Sequence, residues 1–581
     1  MRSKFGDNEP QDVSYHGNAF LRLMGYIKPY WKTVALCCVL VGLLTVFDIA
    51  RPRIIGDAID KYITQQSAQD LPPETRFQGI LIAAGLYVAI LLLQFICNRL
   101  QYLKIQETGQ NIVYTLRNEL MAHVESLSMR FFDLTPVGRI VTRITNDTEA
   151  VNDLYANTIV RLFRNVVKII GLAIIMMVMN FRMAMLSFVL VPVMAVQTRI
   201  TTLNTFLSEH LSGMRVIQIF AREKEKCAEF EEKNESLYRA GVREMMVFAI
   251  FRPSIYFLSV IAMAIILGGG SALVLDGVIS IGMLYTFTEY ISQLFTPVQE
   301  LAEQFTTLQS AIASAEKIFT LLDEKPMLSD KADAKKLPAV RGKIEFDHVW
   351  FAYDNVNWVL KDVSFTIEPG QKVAFVGATG AGKSSILNLI GRYYDVQKGS
   401  IRVDGVDVRD LTRDQLRAAI GQVQQDVFIF TGDIKSNIRL RDEEITDEQV
   451  RQAAEYTNAS RFIERLPNGY DEHVTERGAT FSAGQRQLLS FARTLAHDPK
   501  ILILDEATAN IDTETEQWIQ EALERLMQGR TSIMVAHRLS TIHHADRIIV
   551  MHHGQIRESG THQELLKQDG IYKKLYELQL A

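Results

Sequence analysis

The sequence predicts a multidomain chain: an all-α half of six membrane-crossing helices, followed by an α/β half built around a glycine-rich phosphate loop. Three observations predict it. Apolar runs of bilayer length recur between residues 31 and 295. From residue 343 onward, charged residues and strand–turn–helix alternation take over. The stretch VAFVGATGAGKSS at 373–385 sets a glycine-rich loop between an apolar strand and a helix. A chain of 581 residues is also too long for one core, so two or three domains are expected.

The six apolar segments run 33–49, 80–97, 159–179, 183–196, 247–267 and 279–295. A soluble helix rarely stays apolar around its whole circumference for about five turns, so six such runs in one half point to a lipid bilayer. Residues 180–182 and 268–277 make short connections. The second-to-third and fourth-to-fifth connections are long and carry Arg130, Arg139, Arg143, Arg222, Lys224 and Lys226. By the positive-inside tendency these lie in the cytoplasm, and both termini lie there too. Residues 18–32, apolar with Arg22 and Lys28, suit a short interfacial helix ahead of the first span.

Residues 1–13 are polar, and the first apolar run lacks a cleavage pattern, so that run is expected to stay as an anchor. Cys37, Cys38, Cys97 and Cys227 have no metal-ligand spacing and read as reduced thiols. The net charge of −5 mixes a solvated half with a lipid-embedded one and gives no argument for a nucleic-acid partner. The Pro-, Asp- and Lys-rich stretch after residue 325 reads as a connector. The expected division is therefore a membrane domain at 1–325, a linker at 326–341 and a nucleotide-binding domain at 342–581.

In the glycine-rich loop, backbone N–H groups of Gly377, Ala378, Thr379, Gly380, Ala381 and Gly382 wrap phosphates, Lys383 reaches the β and γ oxygens, and Ser384, followed by Ser385, opens the helix at a Mg²⁺ position. About a hundred residues on, Asp505 ends the apolar strand ILILD, where a carboxylate reaches the Mg²⁺ shell. Glu506 follows it, placed to orient or deprotonate an attacking water.

Residues 344–566 resemble the nucleotide-binding domain of ATP-binding-cassette (ABC) transporters, and the six spans ahead are similar to the membrane half of bacterial multidrug-type exporters. The resemblance implies ATP and Mg²⁺ as ligands and ATP hydrolysis coupled to transport. It also implies Tyr353 stacking on adenine, Gln425 touching Mg²⁺ (after Gln424, where proline is usual), His537 contacting the γ-phosphate, and Asp512 in the loop that crosses to a partner subunit. FSAGQ at 481–485 is similar to the family signature LSGGQ, so Ser482, Ala483, Gly484 and Gln485 would bind the γ-phosphate held by the opposite subunit. Phe481 replaces leucine, and Ala483 puts a β-carbon where the family has glycine. An intact loop, Asp505, Glu506 and His537 beside an altered signature imply one subunit of a heterodimer, favoured over a homodimer.

The same resemblance implies residence in the cytoplasmic membrane with the ATPase domain inside, and export of lipophilic or amphipathic small molecules. The loop turns that dock on the nucleotide-binding domains would be 146–151 and 217–226. The fourth segment departs from the family, because residues 192–204 fall about 16 residues short, about 24 Å of helix. The alternative reading is a non-transporting or coupling-impaired subunit. Inside the spans Glu289 is the expected substrate contact, with Arg161, Arg164 and Lys168 facing a polar cavity or each other.

Overall fold

The computed structural model describes residues 15–64, 72–188, 223–326, 330–331, 333–335, 339–440, 442–505, 513–535 and 545–580. The chain divides into two compact units: Met1–Ser126 with Thr135–Lys325, and Leu127–Leu134 with Pro326–Ala581.

The first unit is helical throughout. Its elements are α1 (Tyr15–Ile27), α2 (Trp31–Ala58), α3 (Pro73–Ser126), α5 (Val137–Met179), α6 (Phe181–Phe188), α7 (Glu223–Leu275) and α8 (Ile281–Leu322), while the six-residue α4 (Met129–Leu134) belongs to the second unit. Four stretches are long and apolar enough to cross a membrane, among the described residues: Ala19–Ile63, Pro73–Ser126, Val137–Met179 and Pro253–Leu275. The most apolar window of α3 has none of its residues buried, with Leu81, Ile82, Phe95 and Ile96 all turned outward, as a lipid-facing helix requires. The sixth apolar segment forms the first part of α8, which is not one of those four stretches. Of the fourth segment, 183–188 lies in α6; residues 189–222, and with them the shortfall at 192–204, lie outside the described residues.

Packing corrects two expectations. The long second-to-third connection is largely helix, since α3 runs unbroken to Ser126, and α7 runs to Leu275, through most of the expected 268–277 loop. Apolar length marks only the lipid-crossing part of a helix that hydrogen-bonding carries further. One face of α1 packs on the helical unit: Ala19 and Leu23 are buried, the Tyr155 hydroxyl donates to the Leu23 carbonyl at 2.6 Å, and Arg22 pairs with Asp323 at 2.6 Å. Residues 146–151 are packed inside the first unit, where Ser314 donates to the Asp147 carboxylate at 2.9 Å and Arg117 donates to Thr148 at 2.9 Å. The loop segment that joins the second unit is Leu127–Leu134; of 217–226, only the residues from Glu223 are described, and they open α7.

Among its described residues the second unit holds three sheets, one of them only the short antiparallel pair β7 (Gly432–Asp433) with β8 (His473–Val474). Strands β1 (Ile344–Phe351), β2 (Leu360–Ile367), β4 (Lys398–Val403) and β5 (Val406–Asp407) make an antiparallel sheet ordered β2-β1-β4-β5. The larger sheet is ordered β12-β11-β3-β10-β9-β6, from β3 (Lys372–Val376), β6 (Ile420–Val423), β9 (Ile501–Asp505), β10 (Thr531–Val535), β11 (Arg547–His552) and β12 (Gln555–Gly560). All its pairings are parallel except β11 with β12. Its central strands are nearly continuous runs of Val, Ile, Leu and Phe, buried on both faces, as covered parallel strands are. Register aligns their C-terminal ends: Val535 pairs with both Phe375 and Asp505, and Val423 with Leu504. Whatever follows β3, β6, β9 and β10 therefore leaves the sheet from one edge.

Candidate nucleotide-binding site

From that edge β3 passes into the glycine-rich loop and then into α9 (Lys383–Ile390). Gly377 and Gly382 have φ of 156° and 101°, and a β-carbon would lie 2.3 Å from the Met551 carbonyl oxygen at the first and 2.7 Å from Leu360 Cδ2 at the second. The backbone path therefore excludes side chains at both positions. Gly382 is the N-cap of α9 and supplies no capping side chain, so the first amides of the helix remain available to an anion. Lys383 is 5% exposed; its ammonium donates to the carbonyls of Gly377 at 2.7 Å and Ala378 at 3.1 Å, which seats it at the loop's centre. Ala378, Thr379, Gly380 and Ser384 are exposed around it, whereas Ala381 and Ser385 are buried.

Gln425 lies two residues beyond β6 and is exposed; Asp505 is partly buried at the end of β9. The edge thus brings together the loop, Gln425 and Asp505. Glu506, Asp512 and His537 lie outside the described residues. Tyr353 follows β1, with its hydroxyl 3.1 Å from Ser385 Oγ and accepting from Asn388 Nδ2 at 3.4 Å, so the ring stands beside the start of α9. The adjoining Asp354 carboxylate accepts from the backbone of Asn357 at 2.7 Å and Val356 at 2.9 Å. These bonds, that to Asn357 first, hold its pKa down at about 2.

The signature segment opens α12 (Ala483–Ala496), whose label follows α10 (Ile434–Arg439) and α11 (Asp447–Tyr456). Ser482 is its N-cap and forms a reciprocal box with Gln485, accepting from Gln485 N at 3.2 Å while Gln485 Oε1 accepts from Ser482 N at 2.9 Å. Phe481 is buried edge-on against Phe462 at 6.0 Å, an apolar replacement absorbed by packing. Ala483 is the exposed first residue of the helix and is not among the positive-φ residues, so its backbone is one alanine adopts freely. Gly484 is buried.

Two features escape a reading of the sequence. Arg493 of α12 donates to the carbonyls of Asn437 at 2.9 Å and Phe428 at 3.1 Å, tying the signature helix to the segment that follows Gln425. The Tyr394 hydroxyl donates to the Asp133 carboxylate of α4, and burial, then that carboxylate, push the Tyr394 pKa above its usual value. Tyr394 also stands edge-on to Tyr353, with ring centroids 5.0 Å apart. The only signal for this in the sequence is the pattern Phe131-Phe132-Asp133 within a charged loop.

Residues 34–298 match the ABC transporter transmembrane region and residues 360–509 match the ABC transporter family. The chain is 38% identical to a probable multidrug resistance ABC transporter ATP-binding/permease protein, YheH, of Bacillus subtilis, covering 93% of this chain and 82% of that one. It is 34% identical to an ATP-dependent lipid A-core flippase of Syntrophus aciditrophicus, covering 99% and 96%. The solved structure of a bacterial Atm1-family ABC exporter with ATP bound superposes with a TM-score of 0.75 at 27% identity, covering 95% of this chain and 99% of that one. With a helical membrane domain, a cytoplasmic α/β domain built to hold ATP phosphates, and these relatives along its whole length, the chain belongs to the ABC exporters, which hydrolyse ATP to drive transport across the cytoplasmic membrane.

Proposed function

We propose that this chain is one half of a dimeric exporter of lipophilic or amphipathic compounds, powered by ATP held between its own phosphate loop and the signature helix of the second subunit. The observation that carries the reading is the shared edge of β3, β6 and β9, which gathers Lys383, Gln425 and Asp505, while α12 presents Ser482 and Ala483 outward. Exposed amides at α9 bind phosphate, and Lys383 stabilises the charge that builds on the β and γ oxygens. Tyr353 stacks on the base. Glu506 orients or deprotonates the attacking water and His537 contacts the γ-phosphate. Asp512 lies in the loop that reaches the second subunit, whose Ser482, Ala483, Gly484 and Gln485 close the site.

The donors Ser384, Gln425 and Asp505 offer a hydroxyl, an amide oxygen and a carboxylate, the hard oxygen set that Mg²⁺ takes in company with phosphates. When bound, the ion neutralises phosphate charge. Closing two ATPase domains around nucleotide favours one arrangement of the membrane helices, and product release restores the other, each a shift driven by differential affinity. Spans with few polar side chains make an apolar path, which supports lipophilic or amphipathic cargo, drug-like or lipid-like.

A heterodimer is favoured over a homodimer because the loop is complete while the signature carries Ala483. Vigorous ATP turnover by this chain alone, equal to that of a co-expressed pair, removes the case for a distinct partner. The decisive experiment reconstitutes the chain in sealed vesicles and follows ATP-dependent movement of fluorescent amphiphiles. No movement with ATP, in vesicles where turnover is measurable, favours the second reading, a coupling-impaired subunit.

A further inference from the structure

Arg164 and Lys168, expected to face a cavity or each other, converge on a residue the sequence did not single out. Asp48 of α2 is 3% exposed. Its Oδ1 accepts from Gln94 Nε2 of α3 at 2.8 Å and from Arg51 Nη2 at 3.1 Å; its Oδ2 lies 3.4 Å from Lys168 Nζ and 4.0 Å from Arg164 Nη2 of α5. Three cations share one carboxylate. Lys168 sits about three turns before the end of α5, about 16 Å along its axis, near the middle of a ~30 Å hydrocarbon layer.

Such an excess of positive charge is costly at that depth and is kept where something answers it. Among the described residues no second carboxylate pairs with these cations: Glu289 forms no ion pair with any of them, and Glu300, also on α8, accepts from Asn165 Nδ2 at 3.0 Å. Two polar atoms of the cluster, Arg51 Nε and Gln94 Oε1, are buried without a hydrogen-bond partner. The side chains of Arg51, Arg164 and Lys168 stay 25%, 33% and 17% exposed, so all three cations remain within reach of a solute.

We propose that Arg51, Arg164 and Lys168, held in place by Asp48 and Gln94, form a cargo subsite for the anionic head, phosphate or carboxylate, of an amphipathic compound whose apolar body lies among the spans. The subsite rests on the exporter reading and narrows its substrate class. Asp48 gathers the guanidinium and ammonium groups around one carboxylate, and a charged acceptor reaching their remaining N–H donors makes the stronger, charge-assisted kind of hydrogen bond. Glu289 is then left with a neighbouring role or none in recognising cargo.

The test uses the full chain, with its partner subunit where one co-purifies, in phosphatidylcholine vesicles. ATP turnover is titrated with dodecyl phosphate, dodecanoate and dodecanol, which share one tail. Half-stimulation is expected at about tenfold lower concentration for at least one anionic head than for dodecanol, and the two acids separate a phosphate subsite from a carboxylate one. Lys168→Gln and Arg164→Gln should each bring that ratio to within about threefold, while Arg51 and Gln94 still hold Asp48. Lys168→Arg should keep it. Equal response of the wild type to all three compounds, or an unchanged ratio in the double glutamine variant, overturns the subsite while leaving the exporter reading intact. Turnover indifferent to every amphiphile overturns both.

Discussion

Two helices of the ATPase unit, α9 and α12, begin where phosphate is expected, and they begin differently. At α9 the N-cap is a left-handed glycine with no side chain to offer, and Lys383 is held by loop carbonyls. At α12 Ser482 and Gln485 satisfy each other's backbone amides. The first start is left open for a ligand; the second is already capped. The phosphate loop is therefore the half of the site whose chemistry is fixed, and the signature is the half that can drift, since its helix persists whether or not phosphate is present.

The largest test of this contrast is Lys383→Ala, which should lower ATP turnover about 100-fold or more while the fold, judged by circular dichroism, is retained; a tenfold effect or less would put the chemistry elsewhere. Tyr353→Ala comes next, with ATP affinity expected to fall about tenfold, as loss of a base–aromatic stack of ~1–3 kcal/mol implies, and unchanged nucleotide binding would show that the ring serves only Ser385 and Asn388. Ser482→Ala removes a cap worth ~1 kcal/mol and, if the hydroxyl serves the proposed two-chain site as well, should reduce turnover more than it reduces melting temperature.

Ala483→Gly sharpens the comparison further. The backbone at Ala483 asks for nothing only glycine can give, so any weakening comes from the β-carbon: Ala483→Gly should raise turnover about threefold, and no rise would remove the signature's argument for a distinct partner. Smallest is the effect of pH on the Tyr353 loop. The Asp354 pKa is depressed to about 2, so its stabilising bonds are fully present above the ordinary carboxylate range and are lost only as pH falls toward 2. Nucleotide affinity attributable to Tyr353 should accordingly stay flat from pH 8 down to 5, checked by titrating wild type and Tyr353→Ala side by side.

Much of this was legible because the loop, the strand ending in Asp505 and the apolar spans are local patterns whose meaning depends on few neighbours. Tyr353 was legible only by resemblance, and its bonds to Ser385 and Asn388 join residues 32 and 35 positions away. The docking segment was misplaced: residues 146–151 look like a solvated turn, yet Asp147 and Thr148 are buried against α8 and α3, whereas the short apolar α4 leaves the helical unit altogether. A turn's charge says that it is tolerated in water, not that it stays there.

By itself the sequence determined the class of machine: the order of its two domains, the membrane-length helices, and the residues that surround phosphate, because bilayer thickness and backbone access to an anion are read from composition and spacing. Only the tertiary structure decided which distant groups meet. Asp48 receives Arg51, Gln94, Arg164 and Lys168 from three helices, and Tyr394 receives Asp133 from another part of the chain. Such pairings are set by helix rotation and depth, which depend on how every neighbouring side chain packs, and no local pattern along the chain records them.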